Sequence, residues 1–132
     1  MSKNPIGHID LRVPDLEAGV AFYSTLLPEV GYTEYLGGQQ FRCWAPAGSE
    51  GPAGAWFGIT ADRGHVANAN RIAFWAESRA EVDRVAALLP AAGALAISGP
   101  KAMTAYSDSY YAVFFTDPWG NALEILHYNS SD

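Results

Sequence analysis

The chain has one cysteine in 132 residues, Cys43, which excludes a disulfide within it. Its fold must rest on an apolar core, and a reducing, cytoplasmic setting is expected. Positive charge is scarce: 8 Lys and Arg stand against 14 Asp and Glu, a formal net charge of −6. The basic residues do not cluster, so a phosphate backbone or an anionic bilayer would be repelled. Neither nucleic acid nor a membrane is expected as a partner. No run approaches the ~18 apolar residues of a membrane span, and residues 1–7 lack the apolar centre of an export signal. What is present is an ordinary globular composition, 49% hydrophobic with four tryptophans. At this length one domain, 1–132, is expected.

The first element reads His8-Ile9-Asp10-Leu11-Arg12-Val13. This alternation sets Ile9, Leu11 and Val13 on one strand face and His8, Asp10 and Arg12 on the other. Pro14 stops the strand and Asp15 can cap a helix on which Leu16, Val20, Tyr23 and Leu27 recur at helical spacing as far as Pro28. Short apolar and aromatic runs at 32–36, 40–45 and 55–60 follow, separated by Gly37-Gly38 and by a Gly/Pro/Ser-rich loop, and predict three antiparallel strands.

The pattern then restarts. Arg71-Ile72-Ala73-Phe74-Trp75 predicts a strand. Ser78, with Glu81 reaching back to form a capping box, predicts a helix with Val82, Val85, Ala86 and Leu89 on its apolar side, ended by Pro90 and Gly93. Strands at 95–98, 110–116 and 122–128 complete the unit. The last two are joined by a hairpin turn, Asp117-Pro118-Trp119-Gly120-Asn121, in which Gly120 takes the positive φ. His8 and Arg71 are 63 residues apart, as are Asp15 and Ser78, and Leu26 and Leu89. One strand-helix-strand-strand-strand unit thus occurs twice, at about 5–62 and 69–129, and two such units can enclose a ligand cleft.

These segments together, and most of all Phe115-Thr116-Asp117-Pro118-Trp119-Gly120-Asn121-Ala122-Leu123-Glu124, resemble the vicinal-oxygen-chelate superfamily of glyoxalases, bleomycin-resistance proteins and extradiol dioxygenases. The resemblance implies an α+β fold of two βαβββ modules in an open, cupped mixed sheet with helices outside. It also implies pairing of subunits as a homodimer and a small-molecule ligand. The family's metal ligands fall, by position, on His8, Arg71 and Glu124. Two imidazoles and a carboxylate would hold Ni, Zn, Mn or Fe as a Lewis acid for a substrate's adjacent oxygens.

Arg71 breaks that set, because a guanidinium has no lone pair to donate. Two ligands, His8 and Glu124, remain where a catalytic metal ordinarily has three. The end of the first module, Trp56-Phe57-Gly58-Ile59-Thr60-Ala61, offers no glutamate for a symmetric site. The favoured expectation is an Arg71–Glu124 ion pair in the metal's place, and no metal. The other is His65 folding back as a third ligand. Two functions therefore compete: a metal-free protein binding a flat or cationic small molecule, and a metal-dependent lyase, isomerase or dioxygenase with His8 and Glu124 as catalytic groups. A third option is a cup completed only by a partner chain. Arg71, Trp75, Tyr110, Phe114 and Trp44 are expected to bind the ligand, with Tyr110, Ala112 and Phe114 on the cup side. His127 falls on the face opposite Glu124 and is expected to be structural. Trp119, at a turn tip, is expected to be exposed.

Overall fold

The computed structural model describes residues 5–50 and 54–131. Its chain forms two compact units that divide between His65 and Val66.

In the first unit, β1 (His8–Val13) runs into α1 (Leu16–Leu26), and a 3-10 turn, Leu27–Val30, leads to β2 (Tyr32–Gly37), β3 (Phe41–Pro46) and β4 (Trp56–Ala61). The order in the sheet is β1-β4-β3-β2, with β1 parallel to β4 and the other neighbours antiparallel. Asp15 caps α1 as expected, its Oδ2 accepting from the Ala18 N–H at 2.9 Å. The helix lies close against the sheet because Gly19 has no side chain: a Cβ there would meet Ile59 Cδ1 at 2.8 Å and Val13 Cγ2 at 2.9 Å. Phe22, Tyr23 and Leu26 from α1 are buried with Val13, Trp44, Phe57 and Ile59 in the core beneath it.

The second unit repeats the plan. β5 (Arg71–Trp75) is followed by α2 (Arg79–Ala92), β6 (Leu95–Ala102), β7 (Tyr111–Thr116) and β8 (Ala122–His127). The sheet order β5-β8-β7-β6 matches that of the first, again with one parallel pair, β5 with β8. Val82, Val85 and Leu89 of α2 are fully buried with Val113, Leu123 and Ile125 of the sheet.

The structure departs from the sequence reading in detail. Pro90 lies inside α2 rather than ending it; the helix runs one further half-turn to Gly93, whose φ of 98° forms the cap. Near a helix end, the bond Pro forgoes is a small loss. Ser78 caps α2 by accepting from the Glu81 N–H at 3.0 Å, while Glu81 reaches back one residue further than expected, to the Glu77 N–H. β6 extends to Ala102 through two register shifts, which period-two reading does not anticipate. Among the described residues no helix is long and apolar enough to cross a membrane.

The β7–β8 turn is built on one side chain. Asp117 is fully buried, and its carboxylate accepts from the backbone N–H groups of Trp119 and Asn121 and from Asn121 Nδ2. Gly120 adopts φ 94°. Asp117→Ala leaves those donors unsatisfied and should lower stability by about 2–4 kcal/mol. Asp15→Ala, at an exposed cap, should cost about 1 kcal/mol. Denaturant unfolding of the two variants checks the order; equal losses would mean that the turn is not held this way.

Candidate functional site

Register decides which side chains share a sheet face. In the second unit Arg71 pairs with Ala122, Ala73 with Glu124 and Trp75 with Leu126 across β5–β8, while Glu124 pairs with Phe114 and Leu126 with Ala112 across β8–β7. Ile72, Phe74, Leu123, Ile125 and Val113 point the other way, toward α2. His127 belongs to that helix side, where its Nδ1 lies 3.0 Å from the Ala76 carbonyl oxygen, the structural position expected of it. The face turned away from α2 therefore carries Arg71, Trp75, Glu124, Phe114 and Tyr110 together, on a floor of Ala73, Ala112 and Ala122.

Glu124 is only 5% exposed. A buried carboxylate needs a hydrogen-bond partner. That partner is Tyr110, whose hydroxyl donates to Glu124 Oε2 at 2.5 Å. Tyr110 stands just before β7, its backbone fixed by the Met103 N–H donating to its carbonyl at 2.8 Å. Burial first, and then the hydrogen bond and charge of Glu124, push the Tyr110 phenol well above its ordinary value of 10.0, so it stays a proton donor.

The expected Arg71–Glu124 ion pair does not form: among the described residues no salt bridge joins them. The Arg71 guanidinium instead lies over the Phe114 ring, 5.0 Å from its centroid. Ala122, the neighbour of Arg71 in register, is small enough for the side chain to lie across β8. The physical reason is desolvation. A neutral phenol satisfies the carboxylate without drawing a second ion out of water, and Arg71 keeps its exposure and gains a cation–π contact. Lys101, at a position sequence reading did not single out, approaches the same ring, with Nζ 5.7 Å from the centroid and donating to Ser98 Oγ at 2.8 Å.

Beyond Tyr110 the face becomes aromatic. Tyr110 stacks on Tyr128 (centroids 5.3 Å apart, 15° between planes), Tyr128 packs on Trp75 at 4.7 Å, and Tyr106 meets Tyr110 edge-on at 5.0 Å. Trp75 is 56% exposed. Tyr128 was legible, since it continues the Glu124, Leu126 alternation; Tyr106 and Lys101 lie in or beside irregular chain and gave no periodic signal.

In the first unit His8 is exposed and stacks flat on its register neighbour Trp56, with centroids 4.1 Å apart and 4° between planes. Asp10, two residues along the same face, accepts from Thr60 Oγ1 and pairs with Arg12. Trp44 requires a correction: it is 1% exposed and lies on the helix side, 6.3 Å from Tyr23 of α1, so it belongs to the core and not to a ligand surface. β3 alternates from Cys43, and Trp44 takes the opposite phase. Trp119 is also corrected, being partly buried rather than exposed. A groove of about 900 Å³ beside the start of α1 is lined by Leu16, Val20, Arg42 and Arg63 among others, and holds none of the expected site residues.

The donors do not fit a divalent metal. Arg71 cannot ligate, and one oxygen of Glu124 is occupied by Tyr110. Among the described residues no group of three or more His, Cys, Asp or Glu is gathered to hold an ion.

The model of the Glyoxalase/Bleomycin resistance protein/Dioxygenase superfamily matches residues 5–125. The chain belongs to that superfamily. It is 31% identical over 120 residues to the uncharacterized protein YqjT of Bacillus subtilis (strain 168), covering 84% of this chain and 89% of that one. A glyoxalase/bleomycin resistance protein from Albidiferax ferrireducens T118 superposes with TM-score 0.77 at 25% identity, covering 96% of this chain and 100% of the other. The fosfomycin resistance protein FosX of Listeria monocytogenes, crystallised with Mn(II) and sulfate ion, superposes with TM-score 0.71 over 98% of this chain and 94% of its own; at 20% identity that likeness shows the fold alone.

Tyr110 yields a prediction whose sign is fixed by its raised pKa. The native state binds the phenolic proton more tightly than the unfolded chain, so this stabilisation is complete below the ordinary value of 10.0 and is lost as pH rises beyond it. In an alkaline absorbance titration, Tyr110→Phe should remove one of the late-ionising tyrosines. An unchanged late phase would mean that the bond to Glu124 is not made.

Proposed function

We propose that the chain binds a small molecule, without a metal, on the face of the second sheet turned away from α2. The observation that carries this reading is Glu124: the carboxylate the superfamily uses as a ligand is buried here and engaged by Tyr110, while Arg71 stands at the neighbouring ligand position. What surrounds it is the chemistry of a binding surface. Exposed aromatic area from Trp75 and Tyr106 supplies apolar contact. The competing reading, a metal-dependent lyase, isomerase or dioxygenase acting through His8 and Glu124, needs a further ligand that Arg71 does not provide. A cytoplasmic homodimer is part of the proposal; light scattering of the purified protein tests its oligomeric part.

The test of the metal-free reading is a count. Protein incubated with Ni²⁺, Zn²⁺, Mn²⁺ or Fe²⁺ and then dialysed should hold far less than one metal per chain, and His8→Ala or Glu124→Ala should not change that amount. Near-stoichiometric metal that disappears in both variants would overturn the proposal.

A further inference from the structure

Two cations converge on one phenyl ring in the second sheet, and neither has an acid opposite it. Arg71 comes from β5 and Lys101 from β6, both over Phe114, at 5.0 and 5.7 Å from its centroid. Among the described residues no salt bridge involves either of them. Among the described residues of the strands on this face the carboxylate is Glu124, which is buried and turned to the Tyr110 hydroxyl. The exposed charge of the face is therefore positive, although the chain as a whole carries −6. A bound anion at this ring would gain a charge-assisted hydrogen bond from either cation.

Along the same strand and on the same face, Trp75 lies four residues from Arg71, roughly 13 Å at the rise of an extended chain, with only the methyl of Ala73 between them. Trp75 is 56% exposed on one side and backed by Tyr128 on the other. It is thus an aromatic plate with a free surface, on the same sheet face as the two cations.

We infer that the ligand of this face is an aromatic carboxylate, or an anion of like shape, with its acid group between Arg71 and Lys101 over Phe114 and its ring on Ala73 against Trp75. This rests on the proposed binding face and specifies its ligand. It keeps the flat ligand of the first expectation and replaces the cationic one, because net charge does not register that Glu124 is withdrawn from the face.

Three probes of one shape separate the terms: naphthoate, the neutral naphthamide and the cation naphthylmethylammonium, titrated into the full chain and followed by tryptophan fluorescence and calorimetry. Naphthoate should bind at least about tenfold more tightly than the other two, and Arg71→Ala or Lys101→Ala should each weaken it by about tenfold while leaving naphthamide unchanged. Arg71→Lys, which keeps the charge, should retain part of the preference. Trp75→Ala should weaken all three probes. If the three bind equally and only Trp75→Ala matters, the anion assignment is wrong while the binding face stands. If naphthoate does not bind, or binds equally well to the Arg71, Lys101 and Trp75 variants, both are wrong. All three positions are exposed, and far-ultraviolet circular dichroism with the melting temperature shows whether each variant is folded.

Discussion

A carboxylate on an inner strand must be satisfied where it stands. Glu124 lies on β8 between β5 and β7, so its backbone is fixed by ladders on both sides and its side chain emerges at the middle of the sheet face. At 5% exposure it cannot rely on water. The Tyr110 hydroxyl meets that need, and other features follow from it. The phenol must lie over the sheet rather than away from it, which brings its ring onto Tyr128 and, through Tyr128, next to Trp75. The arginine, left without a carboxylate, settles on Phe114.

The two units use the same strand order for different ends. In the first, the acid on the face away from the helix, Asp10, is held by Thr60 and Arg12, and His8 is stacked on Trp56. Its polar groups satisfy one another. In the second, the acid is satisfied by a neutral donor, and the cations are left facing outward. The same fold therefore carries a self-contained face in one copy and one with unspent charge in the other. Function belongs to such differences and not to the architecture that both copies share.

Most of the architecture is legible in the sequence, for identifiable reasons. Strict alternation marks β1, apolar runs mark β5 and β8, Asp15 and Ser78 mark the helix starts, and the 63-residue offset reveals the duplication before any fold is considered. The superfamily is recognisable from the turn that Asp117 organises. Legibility fails where periodicity fails. β6 is irregular, so Lys101 goes unnoticed; Trp44 takes the opposite phase from Cys43 in a strand that is buried on both sides, where alternation carries no polarity signal. The ion pair fails for another reason. Opposite charges at neighbouring positions make a pair plausible, but sequence does not reveal that a tyrosine fourteen residues away has already satisfied the acid.

The central claim is that Glu124 belongs to Tyr110 and that the cations beside it are left for a ligand's acid group. A crystal structure grown in the presence of both Mn²⁺ and naphthoate tests this most directly. The account predicts the naphthoate carboxylate between Arg71 and Lys101, its ring against Trp75, and the Tyr110 hydroxyl still on Glu124. A manganese ion ligated by Glu124, with Tyr110 displaced, would contradict it.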